Sequence, residues 1–178
     1  QSPNDQEWID PNLWYQYGLF NMRVKNYDQA EQAFRDCVSI DMSHIDALLS
    51  YGILLCMKGR YSEAEVFIQA SIDLDSTRYE SWGVLSLHFE LNNQIEESNK
   101  ALLYGEYLFR QNQHVREVES TQQSQSLSNR DHLTIGPMLV RSNFTYAIVH
   151  FLLQMHAPNL AEFLLNKVKG EERPLDLM

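Results

Sequence analysis

WYQYG at residues 14–18 is repeated 34 residues further on by LLSYG at 48–52, and again by WGVLS at 82–86. Each stretch begins with Trp or Leu, has Tyr or Leu in fourth place, and ends with Gly or Ser. A fixed period of this length indicates stacked supersecondary units, each too small to bury a core alone. Such a stack usually offers a surface for holding something, so the repeat bears on function before any single residue does.

The second half of each unit keeps the same spacing. A large residue is followed three positions later by a small one, and four positions after that by a bulky apolar one. These sets are Tyr27, Ala30 and Phe34, then Tyr61, Ala64 and Ile68, then Ile95, Ser98 and Leu102.

The combined pattern resembles the tetratricopeptide repeat, and the likeness runs without a gap from Pro11 to about Arg110. It implies two antiparallel helices per unit and a right-handed superhelix of successive units. It also implies that the small residues let the paired helices approach closely, while large residues fill the space beside them. The proline that often ends the family's unit is absent, and Met42, Ser76 and Arg110 stand in its place.

We therefore predict an all-α fold, a right-handed superhelical stack of antiparallel helix pairs with three clear repeats and a divergent fourth hairpin. The predicted parts are a lead-in at 1–10, three units within 11–110 (about 11–44, 45–78 and 79–112), a helix extension and flexible Gln/Ser-rich insertion at 111–136, the fourth hairpin at 137–170, and a tail at 171–178. The predicted helices are 11–24, 28–41, 45–58, 62–75, 77–92, 95–115, 138–155 and 158–169.

The last third of the chain departs from the repeat. Ser120–Asp131 is rich in Gln, Ser and Asn, so we expect a mobile segment there. Apolar residues then recur at helical spacing on both sides of Pro158 and predict the fourth hairpin. Because a repeat array leaves an apolar face at its end, we expect Phe151, Leu152 and Leu164 to dock on the third repeat.

Composition narrows the class of protein. The 178 residues are 44% apolar and carry a formal net charge of −10, which argues against a nucleic-acid partner. No run of 18 apolar residues predicts a membrane span. Cys37 and Cys56 fall in predicted helices, where buried free thiols fit a reducing, cytoplasmic location. Because the chain begins at Gln1 without Met or a signal-like segment, we expect a piece of a longer protein.

No residue constellation predicts catalysis, a metal or a cofactor. The six histidines lack metal-binding spacing, and neither a phosphate-binding Gly-rich loop nor a G-x-S-x-G motif is present. Cys37 stands where the other units have Ser71 and Gly105, which is typical of a small-residue packing position. We expect a non-enzymatic protein without cofactors.

The resemblance implies a concave groove lined by the first helix of each unit. Its expected lining is mostly apolar, which is typical of an adaptable protein-binding surface. The alternative is that several of these side chains lie in the core between helices or beneath the chain's own tail. The predicted partner-binding residues are Tyr15, Leu19, Met22, Leu49, Ile53, Met57, Leu87 and Leu91, accompanied by Arg23, Cys56 and Glu90.

The same groove excludes two ligand types known for the family. A clamp for chaperone C-terminal carboxylates needs Lys, Asn and Arg, but the matching positions are Tyr15, Leu19, Ser50, Glu80 and Val84. A ladder of asparagines for extended peptides would need Asn at Gln16, Ser50 and Val84.

We predict a scaffold whose groove binds an apolar helical segment of a protein partner. On this hypothesis Leu49→Asp combined with Ile53→Asp weakens binding and leaves the fold intact. The degenerate repeats and the insertion before a divergent last hairpin are similar to large axonemal proteins of cilia and flagella, which implies axonemal or cytoskeletal partners. The alternative is a targeting module of a larger catalytic protein.

Overall fold

A computed structural model describes residues 9–123 and 137–171, and these contain helices and turns without a strand. The helices within those ranges are α1 (Pro11–Arg23), α2 (Tyr27–Ile40), α3 (Ile45–Met57), α4 (Tyr61–Leu74), α5 (Tyr79–Leu91), α6 (Ile95–Gln123), α7 (Pro137–Gln154) and α8 (Pro158–Glu171). They pair in chain order as α1 with α2, α3 with α4, α5 with α6 and α7 with α8. The predicted all-α stack of three repeats and a fourth hairpin is confirmed.

The turn between paired helices has the same form in all four hairpins. A residue with positive φ lies two positions before the second helix: Lys25 at 63°, Gly59 at 73°, Asn93 at 61° and His156 at 58°. This left-handed conformation ends the first helix and reverses the chain. The fourth hairpin therefore shares local geometry with the repeats, although its sequence diverges.

Small residues set the distance between paired helices, as predicted. A Cβ added to Gly18 would lie 2.4 Å from the Phe34 ring, and one added to Gly52 would lie 2.6 Å from Ile68 Cγ1. In the third pair, the Ser98 hydroxyl donates to the Ser86 carbonyl at 2.8 Å. Both predicted buried thiols are confirmed, with Cys37 fully buried and Cys56 nearly so.

The main differences from the predicted boundaries lie near the insertion. Helix α6 continues to Gln123, eight residues past its predicted end, so positions 120–123 of the expected mobile segment are helical. Gln, Glu and Arg are good helix formers, and no Gly or Pro interrupts 107–123. Positions 124–131 of that segment, most of the lead-in and residues 172–178 of the tail lie outside the described residues.

Candidate partner-binding groove

The predicted groove residues lie on α1, α3 and α5, but few of them are accessible. The residues that are buried are Tyr15, Met22, Leu49, Ile53 and Leu87, and the half-buried ones are Leu19, Met57 and Leu91. The expectation of an exposed apolar strip is therefore wrong for five of the eight. Because Leu49 and Ile53 are 1% and 0% exposed, two aspartates there would lie in the core, and we now expect that double variant to unfold.

The fourth hairpin meets the third repeat through the middle of α7. Phe144 fills the space above Gly105, whose added Cβ would lie 2.7 Å from the Phe144 ring. The same ring packs edge-on against Tyr79 at a centroid distance of 6.3 Å, and lies 5.7 Å from Phe109. One turn later Ile148 covers Gly83, where an added Cβ would lie 2.3 Å from its Cδ1.

The end of α7 reaches the first two repeats. Met155 Sδ lies 3.4 Å from the Ser50 hydroxyl on α3 and 3.9 Å from the Tyr15 hydroxyl on α1. On the returning helix α8, Lys167 forms an ion pair with Glu90, one of the predicted groove residues on α5. The hairpin thus extends along the concave side from the third repeat to the first.

Apolar side chains of the hairpin and of the groove form one continuous core. Leu152, Leu160 and Leu164 belong to the same cluster as Leu49 and Ile53. This burial supports the first branch of the alternative stated from the sequence, packing in the core between helices. Residues 172–178 of the tail lie outside the described residues.

The expected docking of Phe151, Leu152 and Leu164 on the third repeat stays a prediction, and two further residues take part. Leu152 and Leu164 are buried and Phe151 is half-buried, while Phe144 and Ile148 contact α5 and α6. A signal for this was present in the sequence, because Gly83 occupies the place where the other repeats carry Tyr15 and Leu49. A glycine among large residues in a helix indicates the close approach of another segment.

A buried carboxylate joins the first repeat to the second. Glu31, on α2, is 7% exposed and accepts hydrogen bonds from Lys58 at 2.6 Å and Arg60 at 2.7 Å. It also lies 3.0 Å from Arg35 and 3.5 Å from the Tyr51 hydroxyl. Burial alone would raise the pKa of this carboxyl, but the hydrogen bonds from Lys58 and Arg60 outweigh it and hold the pKa below its usual value.

The second repeat meets the third through a buried histidine. His88 on α5 is fully buried, with Nε2 3.3 Å from Glu65 and Nδ1 3.9 Å from Cys56 Sγ. Burial lowers the His88 pKa, although the contact with Glu65 opposes the shift. Burial raises the pKa of Cys56 to about 12 and that of Cys37 to about 11, so neither thiol is set up as a nucleophile.

Within residues 9–123 and 137–171, no three His, Cys, Asp or Glu side chains come together as a metal site. The helices in those ranges are also too short or too polar to cross a membrane.

Four hairpins with a common turn, the first three paired closely at small residues, define a tetratricopeptide-repeat protein. The chain belongs to the family of the cilia and flagella-associated protein 70 middle TPR-like domain, whose model matches residues 6–104, more than half of its length. The predicted resemblance is confirmed. Domains of this class are typically non-enzymatic scaffolds for protein–protein interaction.

Two human proteins are similar over part of this chain. Cilia- and flagella-associated protein 70 of Homo sapiens is 31% identical over 80 residues, which is 45% of this chain and 7% of that protein. Protein O-mannosyl-transferase TMTC2 of Homo sapiens is 33% identical over 73 residues, 41% of this chain and 9% of that protein. The chain thus spans less than a tenth of either relative.

Two solved structures share the fold over nearly the whole chain. MamA 41-end from Desulfovibrio magneticus RS-1 superposes with a TM-score of 0.56, covering 95% of this chain and 79% of its own, at 16% identity. A second MamA crystal structure gives a TM-score of 0.51 at 15% identity, covering 94% of this chain and 97% of its own. At such identities the likeness shows the fold alone.

Proposed function

We propose that this chain is an interaction module of a ciliary or flagellar assembly, and that its concave groove binds an apolar helical segment of another protein. The family match and the human relative support the ciliary setting. The observation that carries the groove proposal is α7, an apolar helical segment that packs on the third repeat and ends with Met155 against Ser50 and Tyr15 of the other two.

The face of α7 that packs on the repeats indicates which residues a partner helix needs. Phe144, Ile148, Leu152 and Met155 recur at helical spacing, and the contacts of Phe144, Ile148 and Met155 extend across all three repeats. Burying such a face contributes about 25 cal/mol per Å² of apolar surface. A partner helix of the same spacing therefore matches the groove when it takes the place of the hairpin.

Such an exchange has a cost, because the hairpin is tethered to the groove it fills. A tethered segment acts at an effective concentration on the order of millimolar. A free helix must compete with the hairpin at that effective concentration. Its apparent affinity is therefore the intrinsic affinity reduced in proportion to the fraction of molecules whose groove is open. Leu19, Met57 and Leu91 are half-buried and are the places where an incoming helix first finds apolar surface.

The test uses a labelled peptide of residues 137–157 as the competing helix. In the chain, Ile148→Asp should loosen the native hairpin, because the new carboxylate would lie against α5 at Gly83. Leu153→Asp on the same helix is the matched control, since Leu153 is 51% exposed. Fluorescence anisotropy should show the peptide binding the Ile148→Asp chain at least tenfold more tightly than the wild-type or Leu153→Asp chains.

Circular dichroism must show that the Ile148→Asp chain keeps its helical signal. A peptide carrying the same Ile148→Asp change should fail to bind. If the folded Ile148→Asp chain ignores the wild-type peptide, the groove does not accept a helix in trans and the proposal fails. Cross-linking mass spectrometry on intact axonemes tests the ciliary setting, with Lys25, Lys58 and Lys167 as reporters near the groove.

A second candidate is a targeting module within a larger catalytic protein. The similarity to a protein named as an O-mannosyl-transferase favours it. Cross-links from the same lysines to a catalytic domain, with none to axonemal proteins, would support this candidate over the first.

A further inference from the structure

The outer face of α1 carries an apolar stripe made of Leu13, Tyr17, Phe20 and Val24. These residues are 49%, 45%, 54% and 44% exposed. Their spacing of four, three and four residues places them along one side of the helix. The stripe is separate from the groove, whose α1 residues Tyr15 and Met22 are buried.

The same register positions are buried in the other repeats. Ala47, Tyr51 and Leu54 on α3 correspond to Leu13, Tyr17 and Phe20, and each is at most 4% exposed. On α5 the corresponding residues are Ser81, Leu85 and His88, again at most 4% exposed.

The cover at those positions is the second helix of the preceding repeat. The Tyr51 hydroxyl lies against Glu31 and Arg35 of α2, and Ser81 and His88 lie against Ser71 and Glu65 of α4. The stripe on α1 thus occupies a place that is a helix–helix interface elsewhere in this molecule.

The stripe is more apolar than those interfaces. Leu13 stands where α3 and α5 have Ala47 and Ser81, and Val24 stands where they have Lys58 and Asn92. Lys58 pairs with carboxylates of α2 in the internal interface. The α1 stripe has valine in place of this lysine and leucine in place of the small residues. It is therefore better suited to an apolar occupant than to a polar second helix.

The stripe is also complementary to itself. When two α1 helices lie antiparallel about a two-fold axis, Leu13 of one copy meets Val24 of the other, and Tyr17 meets Phe20. The same arrangement brings Asp10 at the start of one helix near Lys25 past the end of the other, and it opposes the two helix dipoles. Self-complementary surfaces of this kind form isologous dimers, the commonest oligomers.

We propose that the α1 stripe is a dimerisation surface whose occupant is the α1 stripe of a second copy of this chain. One helix face from each copy is smaller than the roughly 800 Å² per partner of a standard stable interface. The dimer therefore forms in a concentration-dependent manner. Because each copy carries a formal net charge of −10, added salt should strengthen the association by screening the repulsion.

Sedimentation equilibrium of the 178-residue chain between about 5 and 500 micromolar tests the dimer, a range chosen for an interface of this small size. The wild-type chain should shift from monomer to dimer, and Phe20→Lys should weaken the association at least tenfold. Tyr107→Lys on α6, at a residue 55% exposed outside the stripe, is the matched control and should not change it. A chain that stays monomeric throughout, or a dimer indifferent to Phe20→Lys, overturns the proposal.

Engineered cysteines test the antiparallel register. A mixture of Leu13→Cys and Val24→Cys chains should form a disulfide-linked heterodimer on mild oxidation, whereas Leu13→Cys alone should not link to itself. The native Cys37 and Cys56 are buried and do not interfere. Self-linking of Leu13→Cys without the mixed product would show a parallel arrangement, and absence of both products would show another occupant, such as the chain's own first residues; either result overturns the proposal.

Discussion

Helices α1 and α3 are the same element of successive repeats, and each has 13 residues, yet their environments differ sharply. Ten residues of α3 are buried, against four of α1. At one register position, Leu54 of α3 is fully buried while Phe20 of α1 is 54% exposed. The larger residue is the exposed one, so place in the stack decides burial here more than residue type.

The difference follows from the number of neighbours. Helix α3 packs against its own partner α4, against α2 before it, and against α5 after it. The α7–α8 hairpin also reaches it, since Met155 lies against Ser50. Within residues 9–123 and 137–171, no helix precedes α1 to cover the side that carries its stripe. An internal repeat therefore tolerates few polar substitutions, whereas the first repeat keeps one face that can change freely or bind.

The largest effect we predict is the difference in stability loss between the same substitution at Leu54 of α3 and at Phe20 of α1. Leu54→Asp buries a carboxylate among apolar side chains, which costs several kcal/mol and approaches the whole stability of about 5–15 kcal/mol of a typical domain. Phe20→Asp places the same group in solvent and should change stability by at most about 0.5 kcal/mol. Urea unfolding at low micromolar concentration measures both. Similar losses for the two variants would mean that α1 is as enclosed as α3.

A smaller effect concerns the contact that α3 makes with the preceding repeat and α1 cannot make. Glu31→Gln removes the charge that Lys58 of α3 and Arg60 share, and should lower stability by about 2 kcal/mol near pH 7. Glu65→Gln at the equivalent place on α4 is the control, because Glu65 is 46% exposed, and should cost less than about 0.5 kcal/mol.

The pH dependence of the Glu31→Gln effect identifies its origin. The folded-state pKa of Glu31 is lowered, so its contribution to stability is present above the unfolded pKa and is lost as pH falls through the folded one. The gap between wild-type and Glu31→Gln chains should therefore close in acid. A gap that is constant from pH 7 to pH 3 would show that the shape of the side chain, and not its charge, is responsible.

The repeat period was enough to predict the pairing of helices, because Gly18, Gly52 and Ser86 mark each close contact within one unit. It was not enough to predict accessibility. Leu49 and Ile53 are buried on α3, which packs against α2, α4 and α5, three separate segments of the chain. A local sequence pattern indicates which face of a helix is apolar. Whether a distant segment covers that face depends on tertiary contacts.

The contacts of the α7–α8 hairpin show the same limit of prediction from local sequence. Phe144 and Ile148 were visible as an apolar helical pattern, but nothing near them in sequence indicates Gly105 and Gly83 as their neighbours. Gly83 is the complementary signal, since it stands where the other repeats carry Tyr15 and Leu49. Considering the glycine of the third repeat together with the apolar pattern of α7 would have placed the hairpin on that repeat.

The smallest effect we predict is at His88 of α5, which occupies the register position held by Phe20 in α1 and Leu54 in α3. His88 of α5 is as buried as Leu54, but it is titratable, and burial lowers its pKa against the opposing contact with Glu65. A histidine with a lowered folded-state pKa takes up its proton more readily when unfolded, so stability falls as pH drops below the unfolded value of about 6.5. His88→Leu, which installs the residue found in α3, removes this term. Between pH 7.5 and 5.5 the wild-type chain should lose more stability than His88→Leu in urea unfolding. Equal losses would show that His88 keeps an ordinary pKa inside the stack.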